Sequence, residues 1–203
     1  MKVKQMIVAI GLVGLASSAM AIQSQVEVKV EGIKGGTPEI VLDLLPGKNS
    51  LQFIYEPGKE LRLTSDKIGL NLKLGGNTGL NKFGYKITAK ANESKIALSG
   101  GGGGDSSSVS FKFDIGSIHL SSNHQVLIDF DGSAVNSKVS EWSGAVLNAS
   151  EQNFQTDIIA SVDTMYKADG TVTLDASELA DGNYAGTATI EFETTWRLIE
   201  LAP

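Results

Sequence analysis

Val26-Glu27-Val28-Lys29-Val30-Glu31 alternates apolar and polar residues, the period of a strand with one buried face. The same period recurs downstream. Ile68, Leu70, Leu72 and Leu74 share one face, with Gly69, Asn71 and Lys73 on the other. From Asn183 to Trp196 the alternation is unbroken. Tyr184, Gly186, Ala188, Ile190, Phe192, Thr194 and Trp196 fall on one side, and Ala185, Thr187, Thr189, Glu191, Glu193 and Thr195 on the other. That run predicts one long strand with a buried and a wet face. Further strands are predicted at Glu39 to Leu44, Ser50 to Tyr55, Leu61 to Ser65, Tyr85 to Ala91, Val109 to Ile115, Gln125 to Phe130, Gln155 to Val162 and Thr171 to Leu174.

Turn signals punctuate these segments: Pro46-Gly47, Pro57-Gly58, Gly75-Gly76, Asp131-Gly132, Asp169-Gly170 and Asp181-Gly182 are places where the backbone reverses cheaply. No segment sustains a helical period; Ser137 to Ser150 and Ala176 to Ala180 have room only for short turns of helix. Strands at this spacing predict an all-β fold, an antiparallel β-sandwich. Neither an internal repeat nor a second domain boundary is visible. Gly100 to Gly104, followed by Asp105 and three serines, reads as an exposed flexible loop. It lacks the following Lys-Ser/Thr of a phosphate cradle.

The first residues carry a different pattern. Lys2 and Lys4 precede an apolar stretch, Ile7 to Leu15, and Ala19-Met20-Ala21 supplies a small-x-small cleavage site, the order of a secretory signal peptide. The apolar stretch is too short for a stable membrane span. Cleavage after Ala21 leaves 203 − 21 = 182 residues, enough for one domain with a sizeable core. Loss of Lys2 and Lys4 takes the net charge from 17 − 23 = −6 to 15 − 23 = −8, which argues against nucleic acid or anionic lipid as partner. With no cysteine in the chain, thiol catalysis, thiolate metal sites and disulfides are excluded.

Candidate chemistry is sparse, and the chain reads as non-enzymatic, without cofactor or metal. His119 and His124, the only histidines, sit five apart with no third ligand at a suitable spacing, and read as surface or turn residues. No G-x-S-x-G elbow accompanies the many serines. Asp129-x-Asp131-Gly132 starts like a calcium loop but lacks the later ligands, so a strand running into an Asp-Gly turn explains it better. Asn92-Glu93-Ser94 and Asn148-Ala149-Ser150 match a glycosylation pattern that matters only in a eukaryotic secretory pathway. Trp196 lies on the buried register of the last strand. Trp142, in a less regular region, reads as a core residue, with sugar stacking as its alternative.

Position gives the first strand a second meaning. Val26, Val28 and Val30 follow the cleavage site closely, where an amphipathic strand is free to pair within its own domain or with another molecule. The residues also carry a resemblance. The run from Leu179 to Trp196 resembles the closing strand of chaperone–usher fimbrial subunits of the alpha group, the family of the Escherichia coli common pilus pilin and of colonization factor antigen I. Val26 to Val30, followed by Pro38-Glu39-Ile40-Val41-Leu42-Asp43-Leu44-Leu45, resembles that family's N-terminal donor strand and first sandwich strand.

The resemblance implies an immunoglobulin-like sandwich lacking its last strand, completed by donor-strand exchange. Under it, residues 1–21 are signal peptide, 22–36 donor strand and linker, and 37–203 the sandwich. Donor residues are Val26, Val28 and Val30, with Ile22 and Ile33 as further candidates. The acceptor groove is walled by Tyr184, Gly186, Ala188, Ile190 and Phe192. Implied partners are copies of the same subunit, a periplasmic chaperone and an outer-membrane usher, with a tip adhesin as a further candidate. The implied location is a fimbria at the cell surface. The tail from Arg197 to Pro203 runs past the family's usual end. A fimbrial tip adhesin or a secreted carbohydrate-binding sandwich is the alternative.

Overall fold

The computed structural model describes residues 4–12, 21–28, 39–46, 52–54, 62–65, 67–75, 83–91, 94–99, 107–146, 150–180, 183–185 and 187–198. Val30, Ile33, Gly186, the Gly100 to Gly104 segment and the chain beyond Leu198 lie outside them, as do the Asp181-Gly182 and Pro57-Gly58 turn positions. In chain order the strands are β1 (Lys4–Leu12), β2 (Ala21–Val28), β3 (Glu39–Leu44), β4 (Gln52–Ile54), β5 (Arg62–Ser65), β6 (Lys67–Gly75), β7 (Phe83–Ala91) and β8 (Ser94–Ser99). They continue as β9 (Ser108–Ile115), β10 (Ile118–His119), β11 (Gln125–Phe130), β12 (Val135–Ser137), β13 (Gln152–Tyr166), β14 (Val172–Thr173), β15 (Asn183–Ala185) and β16 (Thr187–Leu198). Single 3-10 turns at Ser140–Trp142 and Ala176–Glu178 fall in the two stretches with room for them.

Two antiparallel sheets form a sandwich. The first runs β12-β11-β7-β16-β1-β2-β4-β5, and the second β15-β8-β9-β13-β6-β3, with β10 on β9 and β14 on β13. The core lies between them, as the alternation requires. Ile68, Leu70, Leu72 and Leu74 of β6 are buried there, with Phe111, Phe113 and Ile115 of β9 and Ile158 of β13. From the other sheet come Tyr85, Ile87 and Ala89 of β7, Leu127 and Ile128 of β11, and Ile190 and Phe192 of β16. Tyr85 brings a hydroxyl into this core and donates it to the Ala145 carbonyl at 2.9 Å. Burial pushes its pKa well above the ordinary range, so it stays a donor.

The turns follow their sequence signals. Gly132 and Gly170 have φ of +98° and +82°, the region that glycine enters without a Cβ penalty. The Asp131 carboxylate accepts from the Ser133 and Ala134 amides at 2.8 and 3.0 Å, closing the β11–β12 hairpin as an Asx turn.

Three features differ from the sequence pattern. The run from Asn183 to Trp196 is not one strand: β15 pairs with β8 in the second sheet, and β16 with β7 in the first. Gly186, the only glycine between Asn183 and Trp196, separates them. β13 is far longer than Gln155 to Val162, because its two halves serve different neighbours: residues 152–159 pair with β6 and 158–166 with β9. Finally, residues 4–12, marked as leader by composition, form a strand within the first sheet.

The pairings define two ends of the sandwich. At the leading end β3 begins, with Glu39 opposite Gly75, and β16 finishes, with Leu198 opposite Phe83. At the trailing end β16 begins at Thr187, and Tyr166, the last residue of β13, lies opposite Ser108.

Candidate functional site

β16 has two contrasting edges. On one it is fastened to β7 from Ile190 opposite Ala91 to Leu198 opposite Phe83. Its core-facing side chains, Ile190 and Phe192, are buried. Its outer face carries Glu191, bridged to Lys90 at 2.8 Å, and Glu193, 3.8 Å from His124 Nε2. Nδ1 of His124 lies 3.1 Å from the Thr88 hydroxyl. Opposite charges directly across an antiparallel pair help to hold register.

The other edge of β16 receives β1. The two run antiparallel from Lys4 opposite Thr194 to Gly11 opposite Thr187, with Met6 opposite Phe192, Val8 opposite Ile190 and Ile10 opposite Ala188. β2 pairs antiparallel with the far side of β1, Val26 opposite Ile10 and Val28 opposite Val8. Two successive antiparallel pairings make β2 parallel to β16. Among the described residues β1 is the only strand joining β2, β4 and β5 to β16.

The predicted donor and acceptor residues therefore fall as follows. Val26 and Val28 lie on β2, one strand removed from β16. Ala188, Ile190 and Phe192 lie on β16, facing β1 in register. Tyr184 lies on β15 in the second sheet, opposite Leu98, so it does not share a strand with them. Ile22 pairs with Phe53 of β4. The signal missed in the sequence is the strand pattern of the leader itself, Met6, Val8, Ile10 and Leu12 at a period of two.

The remaining polar groups serve structure. His119 is exposed on β10 and bonds Asp114 across the β9 pair at 2.9 Å. Among the described residues no three His, Asp or Glu side chains converge as a metal set. Trp142 is fully buried, so it presents no ring for sugar stacking. The trailing end carries the most connected polar cluster. Asp169 accepts from the Thr171 amide and hydroxyl at 2.9 and 2.6 Å. Asp175 accepts from the Ser177 amide and hydroxyl at 2.8 and 2.6 Å. Glu178 takes the Thr173 hydroxyl and a bridge from Lys167 at 3.1 Å. Each carboxyl is held below its ordinary pKa, chiefly by the side-chain hydroxyl it accepts from.

A family model described as Fimbrillin MatB matches residues 21–196, which takes in β2 to β15 and all but the last two residues of β16, and leaves out β1. No curated protein matches the chain.

Proposed function

The chain belongs to the MatB fimbrillin family, and from that premise we propose that its copies join by donor-strand exchange. It is a structural, non-enzymatic protein, the major subunit of a surface fimbria used in adhesion, and it polymerises with other subunits. In the proposed mechanism residues 1–21 are removed as signal peptide. What remains is an immunoglobulin-like sandwich, residues 37–203, whose first sheet ends at β16. Residues 22–36 of another copy supply the strand and linker, with Val26, Val28 and Val30 directed at the face of Ala188, Ile190 and Phe192. A periplasmic chaperone covers the edge first, and the usher directs the replacement.

One observation carries this reading. The edge of β16 accepts an apolar strand in antiparallel register, and the segment that fills it is the one composition marks for removal. The family match begins at Ala21, which supports the same division.

Strand polarity favours a second molecule over self-closure. The chain's own β2 runs parallel to β16, so a sideways shift into the place of β1 would make a parallel pair. A strand arriving from another copy is free to run antiparallel, the slightly more stable arrangement per residue. Main-chain pairing then gives affinity and the alternate side chains give register.

The test uses the chain from Ile22 with residues 22–33 appended through a linker after Pro203. Complementation raises the melting temperature and yields a monomer that no longer polymerises; no gain in melting temperature refutes the reading. Deleting Gln23 to Glu31 in the presence of chaperone and usher abolishes fibres.

A further inference from the structure

The register of β16 also gives the direction in which consecutive subunits follow one another under the proposed exchange. A donor strand antiparallel to β16 ends beside Thr187, at the trailing end, and the chain leaves there for its own body. That body begins with β3 at Glu39, on its leading end. The leading end of one copy is thereby brought to the trailing end of the next. The contact is head-to-tail, and such contacts build open filaments when the rotation does not close.

The trailing end carries an unusual surface. Val172 and Leu174 are 60% and 94% exposed, the two most exposed large apolar side chains among the described residues. They lie two residues apart on the hairpin from β13 to β14, with Thr173 buried between them. Leu174 is not on a slack loop: the Asp175 amide donates to the Thr173 hydroxyl oxygen at 3.0 Å, and Asp175 caps the following 3-10 turn. An apolar pair on a braced mount, on a hairpin that with the 3-10 turn after it also carries Asp169, Asp175 and Glu178 with Lys167, suits a partner surface better than solvent. The linker that leaves the groove at this end carries Ile33, an apolar side chain for an apolar corner, with Glu31 and Lys34 balancing in charge.

We propose that the β13–β14 corner, centred on Val172 and Leu174, is a second, non-strand interface of the fibre, on which the linker and leading end of the next copy seat. The interface rests on the exchange reading and orients bodies already joined by the donor strand.

The chain has no cysteine, so engineered pairs report cleanly. Fibres assembled with chaperone and usher from a Leu174→Cys, Glu39→Cys variant are treated with a short bis-maleimide. The expected result is covalent dimers and longer ladders after the donor strands are dissociated by heat. A Leu174→Cys, Asn136→Cys control, whose second site lies on the outermost strand of the first sheet, gives none. Adding Val172→Asp to the first pair removes the ladder while fibres persist. Normal fibres in which the first pair crosslinks no better than the control overturn the corner interface and leave strand exchange standing. Failure of the unmodified chain to form fibres with chaperone and usher overturns both.

Discussion

Replacing Ile190 and Thr189 separately with alanine asks whether β16 has the register on which strand exchange depends. Ile190 is completely buried between the sheets, opposite Ala91 on β7 and Val8 on β1. Thr189, its neighbour, points to the outer face and is half-buried. Ile190→Ala removes transfer energy and leaves a cavity, about 2–5 kcal/mol. At about 2–4 °C per kcal/mol for a domain of this size, the melting temperature falls by about 4–20 °C. Thr189→Ala forfeits only strand preference on a wet face, no more than about 1 kcal/mol.

Both variants are compared by thermal and urea unfolding of the self-complemented monomer, with the slope in urea checked for constancy. In fibres, Ile190→Ala lowers the temperature at which warm detergent releases subunits, and Thr189→Ala does not. A one-residue slip of a strand exchanges its two faces. If Thr189→Ala proves as costly as Ile190→Ala, the floor of the groove is the Thr189–Glu191–Glu193 face. Donor valines would then meet carboxylates, and the mechanism fails.

Other perturbations follow from single contacts. A Cβ on Gly69 would meet Leu45 Cδ1 and Cβ at 2.8 and 2.9 Å, so Gly69→Ala costs about 1–3 kcal/mol. Adding Leu45→Ala removes most of that penalty, as a double-mutant cycle by urea unfolding will show. Tyr85→Phe leaves the Ala145 carbonyl without its buried donor and lowers stability by about 1–3 kcal/mol, measured the same way. The carboxyls of Asp169, Asp175 and Glu178 titrate lower in the fold than in the unfolded chain. Their contribution is therefore present above the ordinary carboxylate range and is lost as pH falls from there through their lowered values in the fold. Amide exchange at Thr171 and Ser177, normalised for intrinsic rate, should show protection falling on acidification, and Asp169→Asn should remove the pH dependence at Thr171.

The parts of this fold written into the sequence are those that local chemistry decides. The four aliphatic residues of β6 go inside because alternation leaves them one face. Gly132 and Gly170 turn the chain because they tolerate positive φ, and Trp142 is buried in the core as its surroundings suggested. Assignment of strands to sheets is not local. Asn183 to Trp196 alternates without a break, yet Ala185 and Thr187 belong to different sheets, because period two records sidedness and says nothing of which neighbour is paired. β8 escaped notice since Ser94 to Ser99 offers only Ile96, Ala97 and Leu98 between a polar turn and a glycine run. The leader was ambiguous for a physical reason: Met6, Val8, Ile10 and Leu12 satisfy both an export signal and a strand. For the site, Ile190 and Phe192 were legible as inward residues. The partner that covers them was not, since nothing local encodes which strand lies alongside.

Under the proposed exchange, the arrangement of the first sheet gives the subunit a reason to need protection between export and assembly. Among the described residues, β2, β4 and β5 are hydrogen-bonded into the first sheet through β1. In the proposed mechanism residues 1–21 leave, the hydrogen-bonded row then stops at β16, whose inner face carries Ile190 and Phe192, and the backbone groups on that side face water. An edge of that length with an apolar flank is a template for indiscriminate pairing. The mature net charge of 15 − 23 = −8 slows encounters between copies but does nothing to satisfy the edge. Only a strand can do that. In the proposed exchange, a strand carried by every copy, tethered at its leading end and fitting antiparallel at the trailing end of the next, satisfies each edge while exporting the need to another molecule. The same complementarity that threatens aggregation is thereby restricted to one register and one direction, and a linear fibre is its ordered outcome.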